Sequence, residues 1–310
     1  MIRAALDGRL GVEIRSTREL VYSDVVDAAD DRPLHVRAGS GIAVRGDELL
    51  LVQDDASFIA RVRGAEVTSI PLPFGANQRR RFEVALGNKY DKLDLETCVV
   101  VGDELWAFGS GSLPVREVIV RLRGDVVTIV DGGALHAALR DAVGSLGNVE
   151  GVAIVGAELW LCHRGNTGPS DRGPAIARCS LATVQAWLDG GAPPPIHALD
   201  RYDLGAVRGV RLGFTDACAV GDHVFYVAAA EASDDAIEDG VVVAAQLGVI
   251  AEGTVRASPL TAGGHPIKAE GLAMVDVDRA WITVDPDDPE APTQLLEAVL
   301  TGPWRAPKSS

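Results

Sequence analysis

Five polar residues, four of them acidic, recur in five related stretches of the sequence. They are Ser40, Glu96, Glu150, Asp216 and Glu270. Each opens an apolar run, and consecutive members lie 54 to 66 residues apart. If the fold brings them together, their hard oxygen ligands suit Ca²⁺, which accepts about six to eight oxygens in flexible geometry, with Mg²⁺ as the alternative. No His or Cys stands at these positions, which argues against Zn²⁺.

The elements that must position these residues are paired strands. Each apolar run passes through a short turn, usually Gly-Asp or Gly-Ala, into a second apolar run, which is ordinary hairpin chemistry. Residues 57–70 and 117–130 add a second hairpin in the first two repeats, with Arg-Gly at the turn. A period near 50 residues with four strands per unit predicts a five-bladed β-propeller, and six blades are the alternative.

The remaining segments fit this architecture. Residues 134–143 and 180–189 are predicted helices, and the second accounts for the longest interval between repeats. The fifth repeat offers residues 293–300 as a third strand and then ends. We therefore expect residues 1–37 to supply the missing outer strand and close the ring, so that residues 1–310 form a single propeller domain.

Small residues beside the polar positions indicate that these strands lie nearest the axis. Gly41, Gly151, Ala217 and Gly271 each follow one of the five directly. Rotational pseudosymmetry then places all five polar residues at one level of a central channel. Four carboxylates so close together need a cation, a basic partner or protonation to offset their repulsion. A bound metal and pairing with Lys, Arg or backbone amides both remain open.

The amino-acid composition limits the kinds of partner that the protein can bind. The 310 residues carry a formal net charge of −15, which disfavours binding to a nucleic-acid backbone. The four cysteines show no CxxC spacing and are expected to be reduced. The N-terminus lacks the apolar core of a signal peptide, and no apolar run reaches the ~18 residues of a membrane span. We expect a cytoplasmic monomer or weak homodimer with no membrane or nucleic-acid partner.

The loops at one end of the predicted channel are rich in basic and polar residues that could bind a small anion above the metal. The candidates are Lys92, Ser110, Arg116, His163, Arg164, Asn166, Arg211 and Lys268. Arg116 and Arg164 are the strongest candidates for a phosphate or carboxylate fork. His163, expected to be exposed at a strand end, is either an acid/base or incidental.

Other basic residues in these loops have simpler interpretations. Residues 79–81, three consecutive arginines, are most simply a solvated loop. Lys92 and Lys268 each precede an axial glutamate closely, so they could neutralise the acids instead of binding a substrate.

The order Ser, Glu, Glu, short polar residue and Glu on successive inner strands resembles the five-bladed calcium-activated nucleotidases (apyrases). Asp216 departs from the Ser usual there. Residues 92–97, 107–112 and 148–151 are similar to an uncharacterised family of bacterial propeller proteins, and the chain resembles the esterase-like phytase propellers more weakly. The resemblance covers residues 38–290 and implies an axial Ca²⁺; the nucleotidases' substrate-binding residues have no matches here.

Two hypotheses of function follow. In the first, the protein is a metal-dependent hydrolase of a small anionic phosphoester or ester. In the alternative, it is a non-catalytic propeller that binds a ligand or protein and whose axial cation is structural. The sequence identifies no catalytic residue.

Overall fold

The computed structural model describes residues 1–25, 28–75, 78–166, 168, 170–232 and 240–305. Antiparallel strands joined by short turns dominate it. The turns between the first and second strands of four repeats contain Gly46, Gly102, Gly156 and Gly221, whose φ angles lie between 58° and 65°. Glycine adopts this left-handed conformation without steric cost, and two-residue hairpin turns require it.

The strands fall into antiparallel groups of four, preceded by β1 (Ile2–Leu6) and β2 (Gly11–Glu19). The first group contains β3 (Gly39–Arg45), β4 (Glu48–Gln53), β5 (Phe58–Arg63) and β6 (Glu66–Pro71). The second contains β7 (Leu95–Val101), β8 (Glu104–Gly109), β9 (Val118–Arg123) and β10 (Val126–Asp131). The third contains β11 (Val149–Val155), β12 (Glu158–His163), β13 (Ala175–Ser180) and β14 (Ala198–Asp203).

A short hairpin of β15 (Ala206–Val207) and β16 (Val210–Arg211) leads to the fourth group. That group contains β17 (Gly213–Val220), β18 (His223–Glu231), β19 (Val242–Ala251) and β20 (Thr254–Pro259). A second short hairpin, β21 (Thr261–Ala262) and β22 (His265–Pro266), leads to β23 (Ala269–Met274), β24 (Arg279–Val284) and β25 (Gln294–Thr301).

The N-terminal segment enters the sheets twice. Strand β2 pairs antiparallel with β25 and gives the last group its fourth strand. Strand β1 pairs in parallel with both β14 and β20, so the third and fourth groups join in one nine-stranded sheet. This parallel connection is not predicted from the sequence, because β1 is short, largely exposed and outside the repeat.

Both predicted helices are confirmed. Helix α1 spans Gly133–Val143, and helix α2 spans Leu181–Leu188. Their apolar faces pack between the second and third groups, where Leu139 and Val184 are fully buried. No helix within the described residues is long and apolar enough to cross a membrane. The four cysteines are free thiols.

The first strands of the groups surround a common axis. Strand β3 contacts β7, β7 contacts β11, β11 contacts β17, β17 contacts β23, and β23 contacts β3. The backbones approach so closely that a Cβ atom on Gly41 would lie 2.5 Å from the Cα of Thr97, and one on Gly151 would lie 2.9 Å from the amide nitrogen of Ala217. The small residues are therefore required by this crowding, and the all-β arrangement is propeller-like.

Candidate functional site

A β-bulge near the start of each first strand determines which side chains reach the axial cavity. In β7, Leu95 pairs with Gly109 and Thr97 pairs with Phe108, which leaves Glu96 as the extra, unpaired residue. The same shift leaves Glu150 unpaired in β11 and Glu270 unpaired in β23. Bulges redirect a side chain out of the normal alternation of the strand. The three glutamates are therefore equivalent, and all line one cavity.

In the fourth group, the residue at the bulge of the first strand lies one position before the predicted Asp216. In β17 the register shift falls between Phe214 and Asp216, so the residue equivalent to the three glutamates is Thr215. The hydroxyl of Thr215 donates to the carbonyl oxygen of Ala269 at 2.6 Å. Asp216 does not line the axial cavity in the described structure, and the prediction that it shares a level with Glu96 is wrong. Hairpin sequence alone does not reveal where the bulge falls.

Asp216 instead lies deeper on the axis and holds several strands together. Its carboxylate accepts a hydrogen bond from the Thr97 hydroxyl at 2.7 Å and one from the Leu272 backbone N–H at 2.8 Å. The backbone N–H groups of Ile42 and Ala217 also donate to it. The residue is only 1% exposed, and this burial raises its pKa, although the four donors act in the opposite direction.

The axial cavity has a volume of about 50 Å³, and polar side chains dominate its walls. Because one water needs roughly 10–15 Å³ of cavity volume, the space suits a few waters or one partly hydrated ion. Its lining residues are Ala38, Ser40, Asp54, Lys89, Lys92, Asp94, Glu96, Arg116, Asn148, Glu150, Arg164, Lys268, Glu270 and Asp285. These include six carboxylates and five cationic side chains.

Lys92 is the central cation of one side of the cavity. Its ammonium lies 2.5 Å from Asp54, 2.9 Å from Asp94 and 3.2 Å from Asp55, and the residue is 4% exposed. Its pKa is raised well above the ordinary value because these carboxylates outweigh the effect of burial. Lys92 is therefore a buried counter-ion, the alternative role that the sequence suggested for it, and its ammonium is already engaged.

Asp94 is a site residue that the sequence analysis missed. Oxygen atoms of Asp54, Asp94 and Glu96 lie within 4.8 Å of one another, a spacing compatible with one metal ion. Asp94 lies two residues before Glu96, but its left-handed φ of 56° and the bulge at Glu96 remove both residues from regular strand alternation. The sequence pattern therefore does not identify Asp94 as a neighbour of Glu96.

Arg116 pairs with the carboxylate of Asp94. Its Nη1 donates to Asp94 at 2.8 Å and to the Ser112 hydroxyl at 2.9 Å, and the Ser110 hydroxyl also donates to Asp94. The residue is 1% exposed, and its Nε and Nη2 have no acceptor among the described residues. Ser110 and Arg116 thus lie at the site as predicted, but as supports for an acid.

Glu150 is held between two polar partners. Its carboxylate accepts a hydrogen bond from Asn148 at 2.8 Å and lies 3.4 Å from Arg164, which also contacts Glu231 at 2.6 Å. Burial raises the pKa of Glu150 to about 7, with a smaller contribution from the negative charge of Glu231, against the opposing charge of Arg164. Asn148 also donates to Asn166 at 3.1 Å.

Glu96 and Glu270 are less well compensated. Glu270 lies 3.5 Å from Lys268, which is shared with Asp287. Glu96 has no hydrogen bond and no ion-pair partner within the part of the chain that the structure describes. Burial raises the pKa of both carboxyl groups well above the ordinary value, and the charge of Asp54 raises that of Glu96 further. The cavity therefore retains carboxylates whose charge its own cations do not neutralise.

His163 and Arg211, both predicted to lie at the open end of the channel, lie elsewhere. His163 is fully buried, not exposed: its Nδ1 accepts the Asn148 backbone N–H at 3.2 Å, so its Nε2 carries the proton that is shared with Asp171 at 3.1 Å. It orients neighbouring chain segments. Arg211 is exposed on β16 and is not among the described residues that line the axial cavity.

The arginines at 79–81 are not a solvated loop. The carboxylate of Asp31 accepts hydrogen bonds from Arg79 Nε at 2.9 Å and from Arg81 Nε at 3.1 Å, and from the backbone N–H groups of Arg80 and Arg81. The guanidinium of Arg80 stacks 3.6 Å above the Phe74 ring. These contacts fix the loop against the N-terminal segment.

The open end of the channel is acidic, contrary to the basic mouth expected from the sequence. A cleft of about 360 Å³ adjoins the cavity and shares Ala38, Asp54, Lys89 and Asp285 with it. Its other lining residues are Arg37, Asp55, Glu83, Val84, Ala85, Asp287, Asp288 and Pro289. The predicted anion-binding cations Lys92, Arg116, Arg164 and Lys268 lie in the cavity instead, each against a carboxylate.

One protein family matches most of the chain. A model of a family of unknown function, DUF6929, matches residues 35–300, which is most of the chain. The chain belongs to the DUF6929 family. No curated protein matches it.

Several solved structures are similar in outline. A PQQ-bound aldose sugar dehydrogenase from Streptomyces coelicolor is 12% identical with a TM-score of 0.43, over 96% of this chain and 100% of that one. A streptogramin B lyase is 10% identical with a TM-score of 0.44, over 94% and 98%. YCF48 bound to D1 peptide is 10% identical with a TM-score of 0.40, over 99% and 100%.

Proposed function

We propose that the protein is a calcium-binding, five-bladed β-propeller whose axial ion is held by Glu96, Glu150 and Glu270. The observation that carries the proposal is Glu96, a partly buried carboxylate with no hydrogen bond and no close ion pair among the described residues, in a cavity that it shares with two equivalent glutamates. Burial raises the pKa values of the three groups, and neighbouring carboxylates raise them further; a divalent cation would offset both effects.

The blade count of five rests on the cycle of contacts among the first strands β3, β7, β11, β17 and β23. Six blades would need most of a blade from residues 1–37, but β1 and β2 join existing groups. In this arrangement Ser40, Glu96, Glu150, Thr215 and Glu270 occupy equivalent positions. That order supports the resemblance to calcium-activated nucleotidases better than one containing Asp216, because Thr215 is a short hydroxyl residue.

The donor set fits Ca²⁺. The cavity offers carboxylate, hydroxyl and amide oxygens, and no His or Cys lines it among the described residues. Calcium tolerates the irregular geometry that such a set imposes, whereas Mg²⁺ demands a near-ideal octahedron. Glu96, Glu150 and Glu270 would hold the ion, and Asn148 would orient Glu150. Asp54 and Asp94, whose oxygens lie within 4.8 Å of Glu96, are already paired with Lys92 and Arg116 and would form the adjoining wall. The bound ion would supply positive charge at the centre of the ring.

The test is a calorimetric Ca²⁺ titration of the full chain after EDTA treatment. We expect one ion per chain and binding weakened by about tenfold or more in Glu96→Gln, since a charged ligand is lost. The matched control, Glu66→Gln, changes an exposed glutamate on β6 and should bind Ca²⁺ like the wild type. Absence of saturable binding, or equal binding by Glu96→Gln, would contradict the proposal.

A metal-dependent hydrolase of a small anionic ester is the second candidate. The unpartnered Nε and Nη2 of Arg116 favour it, because that edge of a guanidinium matches an oxyanion. The acidic cleft at the entrance and the small cavity disfavour it. Phosphatase, nucleotidase, esterase and lactonase assays with and without EDTA decide between the two: EDTA-sensitive turnover supports the hydrolase, and its absence supports the non-catalytic propeller.

A further inference from the structure

The ammonium of Lys92 lies where a bound cation would lie. Its nitrogen is 2.5 Å from Asp54, 2.9 Å from Asp94 and 3.2 Å from Asp55. An ammonium has three N–H donors, so these three carboxylates match its full donor capacity. The residue is 4% exposed, and the shortest contact falls within the roughly 2.3–2.6 Å of Ca²⁺–oxygen contacts. The side chain therefore fills a space that oxygen ligands surround as they would surround an ion.

The acids around this ammonium are also close to one another. Oxygen atoms of Asp54, Asp94 and Glu96 lie within 4.8 Å of one another, a spacing compatible with one metal ion. Arg116 pairs with Asp94 at 2.8 Å. Glu96 has no hydrogen bond and no close ion pair among the described residues. Lys92 is therefore the positive charge that this group of acids shares.

A tethered ammonium and a metal ion exclude each other from this position. The two are both positive, so they repel each other, and they compete for the same carboxylate oxygens. The ammonium cannot diffuse away, because Lys92 belongs to the segment that leads directly into β7. An ammonium also carries one charge where Ca²⁺ carries two. The position is thus closed to a divalent ion for as long as Lys92 is present.

We propose that Lys92 determines how many divalent ions the axial cavity binds. Its ammonium fills a second cation position, formed by Asp54, Asp94 and Glu96, and limits the cavity to one Ca²⁺. This role rests on the proposed calcium site, since Glu96 belongs to both groups of acids. Replacement of Lys92 by an apolar residue of similar shape opens the second cation position to Ca²⁺.

Counting the bound ions in Lys92→Met tests this role. Methionine keeps an unbranched apolar side chain and removes the ammonium. Calorimetric Ca²⁺ titration of the full chain after EDTA treatment should show two ions per chain in Lys92→Met and one in the wild type. The double variant Lys92→Met, Asp54→Asn should bind its second ion about tenfold more weakly or worse, because the second cation position loses a charged ligand. That loss locates the additional ion.

The matched control removes the same charge from another part of the same cavity. Lys268 lies 3.5 Å from Glu270 and also pairs with Asp287, neither of which belongs to the second cation position. Lys268→Met should therefore stay at one ion per chain, although the loss of a positive charge raises its affinity for Ca²⁺. A second ion in Lys268→Met would show that net charge sets the number of ions, and would overturn the role of Lys92.

A second measurement applies even if Lys92→Met is unfolded without metal. Urea unfolding at several saturating Ca²⁺ concentrations gives the number of ions taken up on folding, because each bound ion stabilises the folded state by mass action. That number is the slope of the logarithm of the folding constant against the logarithm of the Ca²⁺ concentration. The slope should be about two for Lys92→Met and about one for the wild type.

The ion counts of the two proteins separate the role of Lys92 from the calcium site itself. One ion in each protein would overturn the role of Lys92 and leave the calcium site intact. No ion in the wild type and one in Lys92→Met would support the role of Lys92 and contradict the calcium site. Two ions in the wild type, or none in either protein, would overturn the role of Lys92.

Discussion

Two levels of the same axis contain carboxylates, one fully buried and one partly buried, that differ in their hydrogen bonds. At the lower level, four donors from four different strands surround Asp216. At the upper level, Glu96 has no hydrogen bond and no close ion pair in the described structure. Both residues are acids at the start of an inner strand and look equivalent in sequence. The acid with saturated hydrogen bonds fastens strands together, whereas the acid without hydrogen bonds is the one that we propose binds a cation.

The largest expected effect comes from the lower level. Asp216→Ala leaves the Thr97 hydroxyl and the N–H groups of Leu272, Ile42 and Ala217 buried without an acceptor. At about 1–3 kcal/mol for each group, the free energy of unfolding should fall by about 5 kcal/mol. Urea unfolding measures it, with Asp216→Asn as the variant that keeps one acceptor and loses less. A loss below about 1 kcal/mol for the alanine variant would disprove the fastening role.

Removal of the buried ammonium is the next largest effect. Lys92→Met leaves Asp54 and Asp94 without their shared counter-ion and should cost about 4 kcal/mol of stability. Added Ca²⁺ should recover part of this loss, because a cation can then compensate the carboxylates. Arg15→Met is the control: that exposed pair with Glu13 should contribute at most about 1 kcal/mol. Equal stability of Lys92→Met and wild type would contradict the role of Lys92 as a buried counter-ion.

The pH dependence of stability probes the upper level. The folded pKa of Glu150 is about 7 against an ordinary 4.5, so the folded protein binds more protons between these values. The contribution of Glu150 to metal-free stability should therefore fall as pH rises from 4.5 to 7, by at most about 3 kcal/mol. The difference between wild type and Glu150→Gln across this range isolates the effect. Saturating Ca²⁺ should abolish the difference in slope; a slope of the opposite sign would contradict the raised pKa.

The smallest effect separates Glu96 from Asp216 directly. Without metal, Glu96→Gln should raise the free energy of unfolding by about 1 kcal/mol, because it removes a repelling charge that has no partner. With Ca²⁺ present, the wild type should become the more stable of the two. Denaturant melts in EDTA and in Ca²⁺ measure both states. Destabilisation of the metal-free variant would show that Glu96 has a structural role like that of Asp216.

Much of the architecture could be predicted from the repeat. The Gly-Asp turns and the small residues beside the polar positions indicated the hairpins and the inner strands, because those features follow from local backbone geometry. The bulge in β17 could not be predicted, since it depends on pairing with β18, and it exchanged Thr215 for Asp216. The parallel pairing of β1 depends on two distant strands. The predicted basic charge at the open end of the channel is wrong because the side chains of Lys92 and Arg116 point inward and pair with Asp94. Sequence position alone does not reveal this orientation.

The most direct test of the cation site is a structure determined from crystals grown with Ca²⁺. We expect one anomalous peak in the axial cavity, within about 2.3–2.6 Å of carboxylate oxygens of Glu96, Glu150 and Glu270, with Asp216 still bound to its backbone donors below it. An empty cavity at saturating Ca²⁺, or an ion coordinated by Asp216 instead, would contradict it.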